Sequence, residues 1–246
     1  MATYVLVPGA WLGGWAWQEV AVRLRADGHE VYPVTLTGLG ERSHLARPEI
    51  DLDTHITDVV NTMTWNDLTN AILAGHSYAG TVVTGVADRV PERIAQLVYV
   101  DSAPLADGMA MTDLYQPDRL EALQRSVDTA GDGWRWPFPG FEELAADASL
   151  NGLDETDRAL MTAKAVPQPW ATYTQSLRLG QQAAPAYQQV AIACDDMRGM
   201  VAAGVPPIVA MTAAPWRYLE RATGHWPMFS APGELADLLA SLDREG

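Results

Sequence analysis

The sequence predicts an α/β fold, with a mostly parallel sheet, helices on both faces and a helical insertion. Three observations carry this reading. Short β-rich runs alternate with stretches of helical period. One apolar run, 71–74, passes through a turn of small residues directly into a helix. The stretch 106–184 breaks the alternation and holds no convincing strand.

Taken in order, the predicted strands are 3–7, 30–35, 71–74, 94–100, 187–193 and 216–221. The helices between and after them are 15–26, 53–65, 79–90 and 233–242. In the last helix Leu235, Leu238, Leu239 and Leu242 fall at i, i+3, i+4 and i+7, one apolar stripe to bury. Ile56, Val59, Val60 and Met63 repeat that spacing. The predicted organisation is one body, with 1–105 and 185–246 as core and 106–184 as a cap over the carboxyl edge of the sheet. Open α/β sheets bind their ligands at that edge.

Composition excludes other classes of function. The net charge of −15 repels nucleic acid and anionic lipid, and no basic patch offsets it. No apolar stretch has the length of a bilayer span. A single cysteine, Cys194, cannot form an intramolecular disulfide, and the amino terminus lacks a secretory pattern, so a cytoplasmic protein is expected. No cofactor is implied. The expected partner is a small molecule, and a homodimer stays open beside a monomer.

The chemistry centres on Ala71-Ile72-Leu73-Ala74-Gly75-His76-Ser77-Tyr78-Ala79-Gly80. A serine on a sharp strand-to-helix turn needs small neighbours because other elements come close, and its hydroxyl projects at a helix amino terminus. The pattern predicts a nucleophile elbow of the α/β-hydrolase kind, with Ala79 at the usual second glycine and Gly80 one place later. A serine hydroxyl needs a base to take its proton. Of the five histidines, His225 lies after the last strand and before the last helix, where the order serine, acid, histidine requires it. His76 reads as a packing residue, and His29, His44 and His55 as loop or surface residues with no metal-ligand spacing. The base is expected to titrate at about 6 to 7.

A carboxylate must orient the histidine. Asp196, after the penultimate strand, is preferred; Asp195 beside it and Asp101 at the end of 94–100 are the alternatives. Asp196→Asn is accordingly expected to cost at least about a hundredfold, and the other two changes much less. The oxyanion hole needs the N–H of Tyr78 and one from the loop Val7-Pro8-Gly9-Ala10-Trp11-Leu12-Gly13-Gly14-Trp15, given by Ala10 or Trp11. That loop is not a phosphate loop, since no Gly-Lys-Ser/Thr follows. Trp11, Trp136 and Trp226 are candidate substrate-binding residues, with cap packing as the alternative for the aromatic cap.

The sequence resembles the plant methylesterase and hydroxynitrile lyase family of α/β-hydrolases and its bacterial esterase relatives. The matching residues are Leu6-Val7-Pro8-Gly9-Ala10-Trp11-Leu12-Gly13-Gly14-Trp15-Ala16-Trp17, Gly28-His29-Glu30-Val31, Gly75-His76-Ser77-Tyr78-Ala79-Gly80, Asp195-Asp196 and Gly224-His225. The resemblance implies Ala10 and Tyr78 as oxyanion donors and Asp196 as the acid. Pro8-Gly9 replaces the family's usual His-Gly, which removes a loop hydrogen bond. The lyases carry a lysine soon after the histidine; Trp226 follows His225 here, which argues against cyanohydrin cleavage. The expected activity is carboxylic ester hydrolysis through an acyl-enzyme on small to medium apolar or aromatic esters. A non-hydrolytic lyase or cyclase, or a slow-turnover small-molecule receptor, is the alternative on the same scaffold.

Overall fold

The computed structural model describes residues 1–180 and 186–243. The first half alternates β1 (Thr3–Val7), α1 (Gln18–Ala26), β2 (Glu30–Pro33), α2 (Leu52–Trp65), β3 (Ala71–His76), α3 (Ala79–Arg89) and β4 (Ile94–Val100). The inserted segment follows, with α4 (Pro117–Ala130), β5 (Arg135–Trp136), α5 (Phe141–Asp147), α6 (Glu155–Lys164), β6 (Gln168–Pro169) and α7 (Ala171–Thr174). The chain then returns through β7 (Gln188–Ala193), α8 (Asp195–Ala202), α9 (Pro206–Ala210), β8 (Arg217–Glu220), α10 (Pro227–Ser230) and α11 (Pro232–Asp243). The expected junction of cap and core at 184/185 lies outside the described residues.

The main sheet has the order β2-β1-β3-β4-β7-β8, and every neighbouring pair is parallel. Its central strands are buried on both faces, which is why they read as nearly unbroken apolar runs rather than alternating ones. The strand order reverses between β1 and β3. That switch leaves a crevice beyond the carboxyl ends of the two strands, between the glycine-rich loop and the elbow. Helices cover both faces: the leucine stripe of α11 is buried, with α1 among its neighbours, and Ile56, Val59 and Met63 of α2 are buried while Val60 is half-buried. Among the described residues no helix is long and apolar enough to cross a membrane.

Beyond small shifts at other element ends, three differences from the sequence reading bear on the site. β3 runs on to His76, because Gly75 and His76 still pair with Tyr99 and Val100 before the turn begins. β2 stops at Pro33, and Thr35 instead accepts from the Gly14 N–H at its hydroxyl and from Arg42 at its carbonyl. The inserted segment does contain strands: β5 and β6 pair antiparallel, but at two residues each they carry no period that a sequence can display.

Candidate active site

The elbow forms because β3 drives Ser77 into a left-handed turn. Its φ is 53°, a region that costs a non-glycine residue strain and is held by tertiary partners. The Ser77 N–H donates to Val100 O at 3.2 Å, and its carbonyl accepts from Gly80 N–H at 2.9 Å and from the Ser102 hydroxyl at 2.6 Å. A Cβ at Gly75 would stand 2.7 Å from Ala79 O, and one at Gly80 would stand 3.0 Å from Ala103 O and collide with the Ser102 hydroxyl. The glycine at 80 is therefore the one the β4 exit loop requires, while position 79 tolerates a methyl group.

His225 follows β8 and is held from both sides of its backbone. Its N–H donates to Ser149 O at 2.9 Å, and its carbonyl accepts from His76 Nε2–H at 2.6 Å. The His76 and His225 rings lie 4.9 Å apart, so the residue before Ser77 carries the histidine loop directly. His76 is thus a packing residue with a defined bond, and burial followed by the neighbouring His225 charge keeps its pKa well below the usual histidine value. Gly224 is a point of close contact: a Cβ there would lie 2.6 Å from three backbone atoms of Ser149 and Asn151. Gly224→Ala is expected to destabilise the fold by about 1–3 kcal/mol, as overpacking against backbone does. Urea denaturation checks this, and an unchanged midpoint would contradict it.

Two carboxylates meet the same nitrogen. Asp101 Oδ2 is 2.8 Å from His225 Nδ1, and Asp196 Oδ2 is 3.0 Å from it. Asp101 is buried, sits at φ 43°, and its Oδ1 accepts from Cys194 N–H and Met197 N–H, both at 3.0 Å. Asp196 lies in the first turn of α8, and its Oδ1 accepts from Ser149 N–H at 2.8 Å. Asp195 points elsewhere, to the Ser149 hydroxyl, Asn151 and Arg198. The preference for Asp196 over Asp101 is therefore not reproduced by distance: the Asp101 N–H bonds to Ile192 O, so the β4 exit follows β7 inward to the histidine. Burial opposes the imidazolium, but the hydrogen bonds and charge of Asp101 and Asp196 outweigh it and push the His225 pKa up to about 9.

Among the described residues Asp101, Asp196 and His225 form the one grouping of three metal-type ligands. Ligands about 2.0–2.2 Å from a tetrahedral zinc stand roughly 3.4 Å apart. The 2.8 and 3.0 Å separations are those of an Nδ1–H donor shared by two acceptors.

On the other side of the elbow, Trp11 adopts φ 63° and its N–H donates to Gln168 Oε1 at 3.0 Å. Of the two donors expected from this loop, Trp11 is thereby engaged. The Ala10 and Tyr78 N–H groups have no acceptor among the described residues. His55 is not a surface residue: it is fully buried in α2, where Nε2–H donates to Thr37 O and Nδ1 accepts from the Tyr78 hydroxyl, each at 2.9 Å. Burial lowers its pKa to about 4, which keeps it neutral.

Beside Ser77 lies a cavity of about 440 Å³, walled by Met109, Met111, Met197, Met200, Leu105 and Ile208 among others. Among the described residues its one charged lining residue is Asp101, whose oxygens are already taken. Trp11, Trp136 and Trp226 are not among its lining residues. Trp11 and Trp136 pack against each other at 4.4 Å where the insertion meets the core, and Trp226 is buried edge-on to His225 at 4.8 Å. Sequence reasoning missed Ser102, Ser149 and Gln168. Ser102 sits beside Asp101 at a carboxyl strand end, which is a usable signal; the other two act across separations of 47 and 157 residues and have none.

The sequence model of the alpha/beta hydrolase family matches residues 4–238. The chain is 34% identical over 259 residues to the carbendazim hydrolyzing esterase of Nocardioides sp. (strain SG-4G), covering 98% of this chain and all of that one. It is 23% identical over 250 residues to the putative chloroplastic methylesterase 15 of Arabidopsis thaliana, covering 98% of this chain and 56% of that longer protein. Among solved structures, an extracellular alpha/beta-hydrolase from a Paenibacillus species matches with a TM-score of 0.83 at 24% identity over 98% of both chains, a likeness of fold. With the elbow, the histidine loop and the carboxylates in these positions, the chain belongs to the alpha/beta hydrolase family.

Proposed function

We propose that the protein is a serine esterase that cleaves small to medium, uncharged, apolar esters through an acyl-enzyme. Ser77 attacks the carbonyl, His225 takes its proton and returns it to the leaving alcohol, and the Ala10 and Tyr78 N–H groups receive the oxyanion. Asp101 and Asp196 together orient the imidazole and stabilise its protonated form. The observation that carries this reading is the strained Ser77 turn opening on an apolar cavity, with a carboxylate-held histidine on the adjoining loop. The esterase relatives support ester hydrolysis as the reaction.

The cavity supports the substrate class. Methionines fill irregular space and adapt to differently shaped apolar groups, and among the described residues no free charge lines the cavity to bind a carboxylate or ammonium. Steady-state turnover of p-nitrophenyl and methyl esters tests this, with carbendazim and a carboxylate-bearing ester included. Turnover of the neutral esters with discrimination against the charged one is expected. A burst without turnover would point to a receptor, and absence of acylation to non-hydrolytic chemistry.

The raised pKa of His225 changes the expected pH dependence. A general base works deprotonated, so a pKa raised by its partners moves the rise in acylation rate to higher pH, with a midpoint of about 9 rather than 6 to 7. The groups facing the ring are Asp101, Asp196 and the neutral His76. Pre-steady-state acylation from pH 6 to 10 measures the midpoint, and one at 6 to 7 would contradict the shared-carboxylate arrangement.

A further inference from the structure

The inserted segment holds Trp11 by every polar group that residue has. Gln168 Oε1 accepts from its N–H at 3.0 Å, Val166 N–H donates to its carbonyl at 3.0 Å, and its indole Nε1–H donates to Trp136 O at 3.2 Å. Trp11 sits at φ 63°, a conformation that a bulky residue leaves unless its partners fix it. Gln168 is fully buried, and its own Nε2 is anchored on the Thr172 hydroxyl at 2.8 Å, which in turn donates to Pro169 O at 2.6 Å. The next residue, Tyr173, stacks on Tyr78 at 5.1 Å with 14° between the planes. One short piece of the insertion, from β6 to α7, therefore braces both loops that bear the unpartnered Ala10 and Tyr78 N–H groups.

We propose that Gln168 is a positioning residue for the oxyanion hole: by accepting the Trp11 N–H it fixes the loop in the conformation that leaves the Ala10 N–H free for the carbonyl oxygen. This rests on the acyl-transfer reading of Ser77. It makes the insertion part of the catalytic framework, since the donor loop keeps its shape only while β6 is in place. Gln168 does not line the cavity, and its side-chain hydrogen bonds go to Trp11 and Thr172, so its effect falls on transition-state stabilisation rather than on substrate binding.

The test is Gln168→Leu, which fills the space without an acceptor, measured with p-nitrophenyl butyrate and with an alkylboronic acid that mimics the tetrahedral intermediate. The expected result is a fall in kcat of about 30- to 100-fold with KM within about threefold, and a parallel loss of boronic-acid affinity. Gln168→Glu, which in its protonated form keeps both bonds, should recover most of the rate at the acid end of the activity range. Unchanged kcat, or a rise in KM alone with boronic-acid affinity intact, would overturn the inference. If Gln168→Leu does not fold, Gln168→Met carries the same test: it is close to the native side chain in size and shape, removes the acceptor of the Trp11 N–H, and should lower kcat and boronic-acid affinity together. A wild-type protein that takes no fluorophosphonate on Ser77 would instead overturn the esterase reading itself.

Discussion

Ser77→Ala is expected to lower kcat for p-nitrophenyl esters by about 10⁴- to 10⁶-fold, leaving a folded protein of nearly unchanged stability. The magnitude is that of removing a nucleophile whose partners act as a unit, so the remaining histidine and donors recover little. Stability holds because the substitution deletes one hydroxyl at a half-buried position and keeps the backbone bonds that fix the turn, from Ser77 N–H to Val100 O and from Gly80 N–H and Ser102 to Ser77 O. Alanine meets the same left-handed strain as serine, so the folded-state change stays within about 0.5 kcal/mol. Stopped assays paired with circular dichroism separate the two effects. Retained turnover at the wild-type rate would remove Ser77 from the mechanism.

The second large effect is expected from the carboxylates together rather than from either alone. In Asp101→Asn the remaining oxygen can still accept from Cys194 and Met197 N–H, and the new amide replaces the oxygen that faced Nδ1. Asp196 remains 3.0 Å from that nitrogen and still selects the correct imidazole tautomer. The mirror argument holds for Asp196→Asn. Each single change is therefore expected to cost about 10-fold, and the double change about ten-thousandfold rather than the hundredfold product of the two, the loss typical when the histidine has no acceptor. Non-additivity of this kind is what two groups in contact with one partner produce. Each single change should also move the acylation midpoint to lower pH, because each removes one of the charges that raise the His225 pKa. Asp195→Asn, which points to Ser149, Asn151 and Arg198, should leave both rate and midpoint nearly unchanged. A single variant that alone loses the full ten-thousandfold would identify the sole acid.

Much of this architecture was legible because it is written in local pattern. The six core strands and the leucine stripe of α11 follow from apolar runs and helical period, and Ser77 and His225 from their places between strand and helix. What stayed hidden depends on long-range geometry. Nothing in the sequence says that the loop after β4 turns inward far enough for Asp101 to reach His225 across 124 residues. The preference for Asp196 comes from its place after the penultimate strand and from the family resemblance, and neither reports that two strand exits converge. Aromatic residues around the insertion suggested a substrate wall, yet tryptophans at 136 and 11 became packing, and the cavity is walled by methionines supplied by 105–114 and by α8. The upward shift of the His225 pKa was equally invisible, since Asp101 and Asp196 both raise it and the sequence does not show that the two meet at one nitrogen.

The most direct test of the central claim is mass spectrometry of the protein acid-quenched during turnover of p-nitrophenyl butyrate. Lowering the pH protonates His225 and stops acylation and deacylation together, so the acyl-enzyme present at the moment of the quench is preserved. The wild-type protein is expected to carry an added butyryl group of about 70 Da, mapped by peptide fragmentation to Ser77 and absent from Ser77→Ala. Turnover with no adduct on Ser77, or an adduct on another residue, would contradict it.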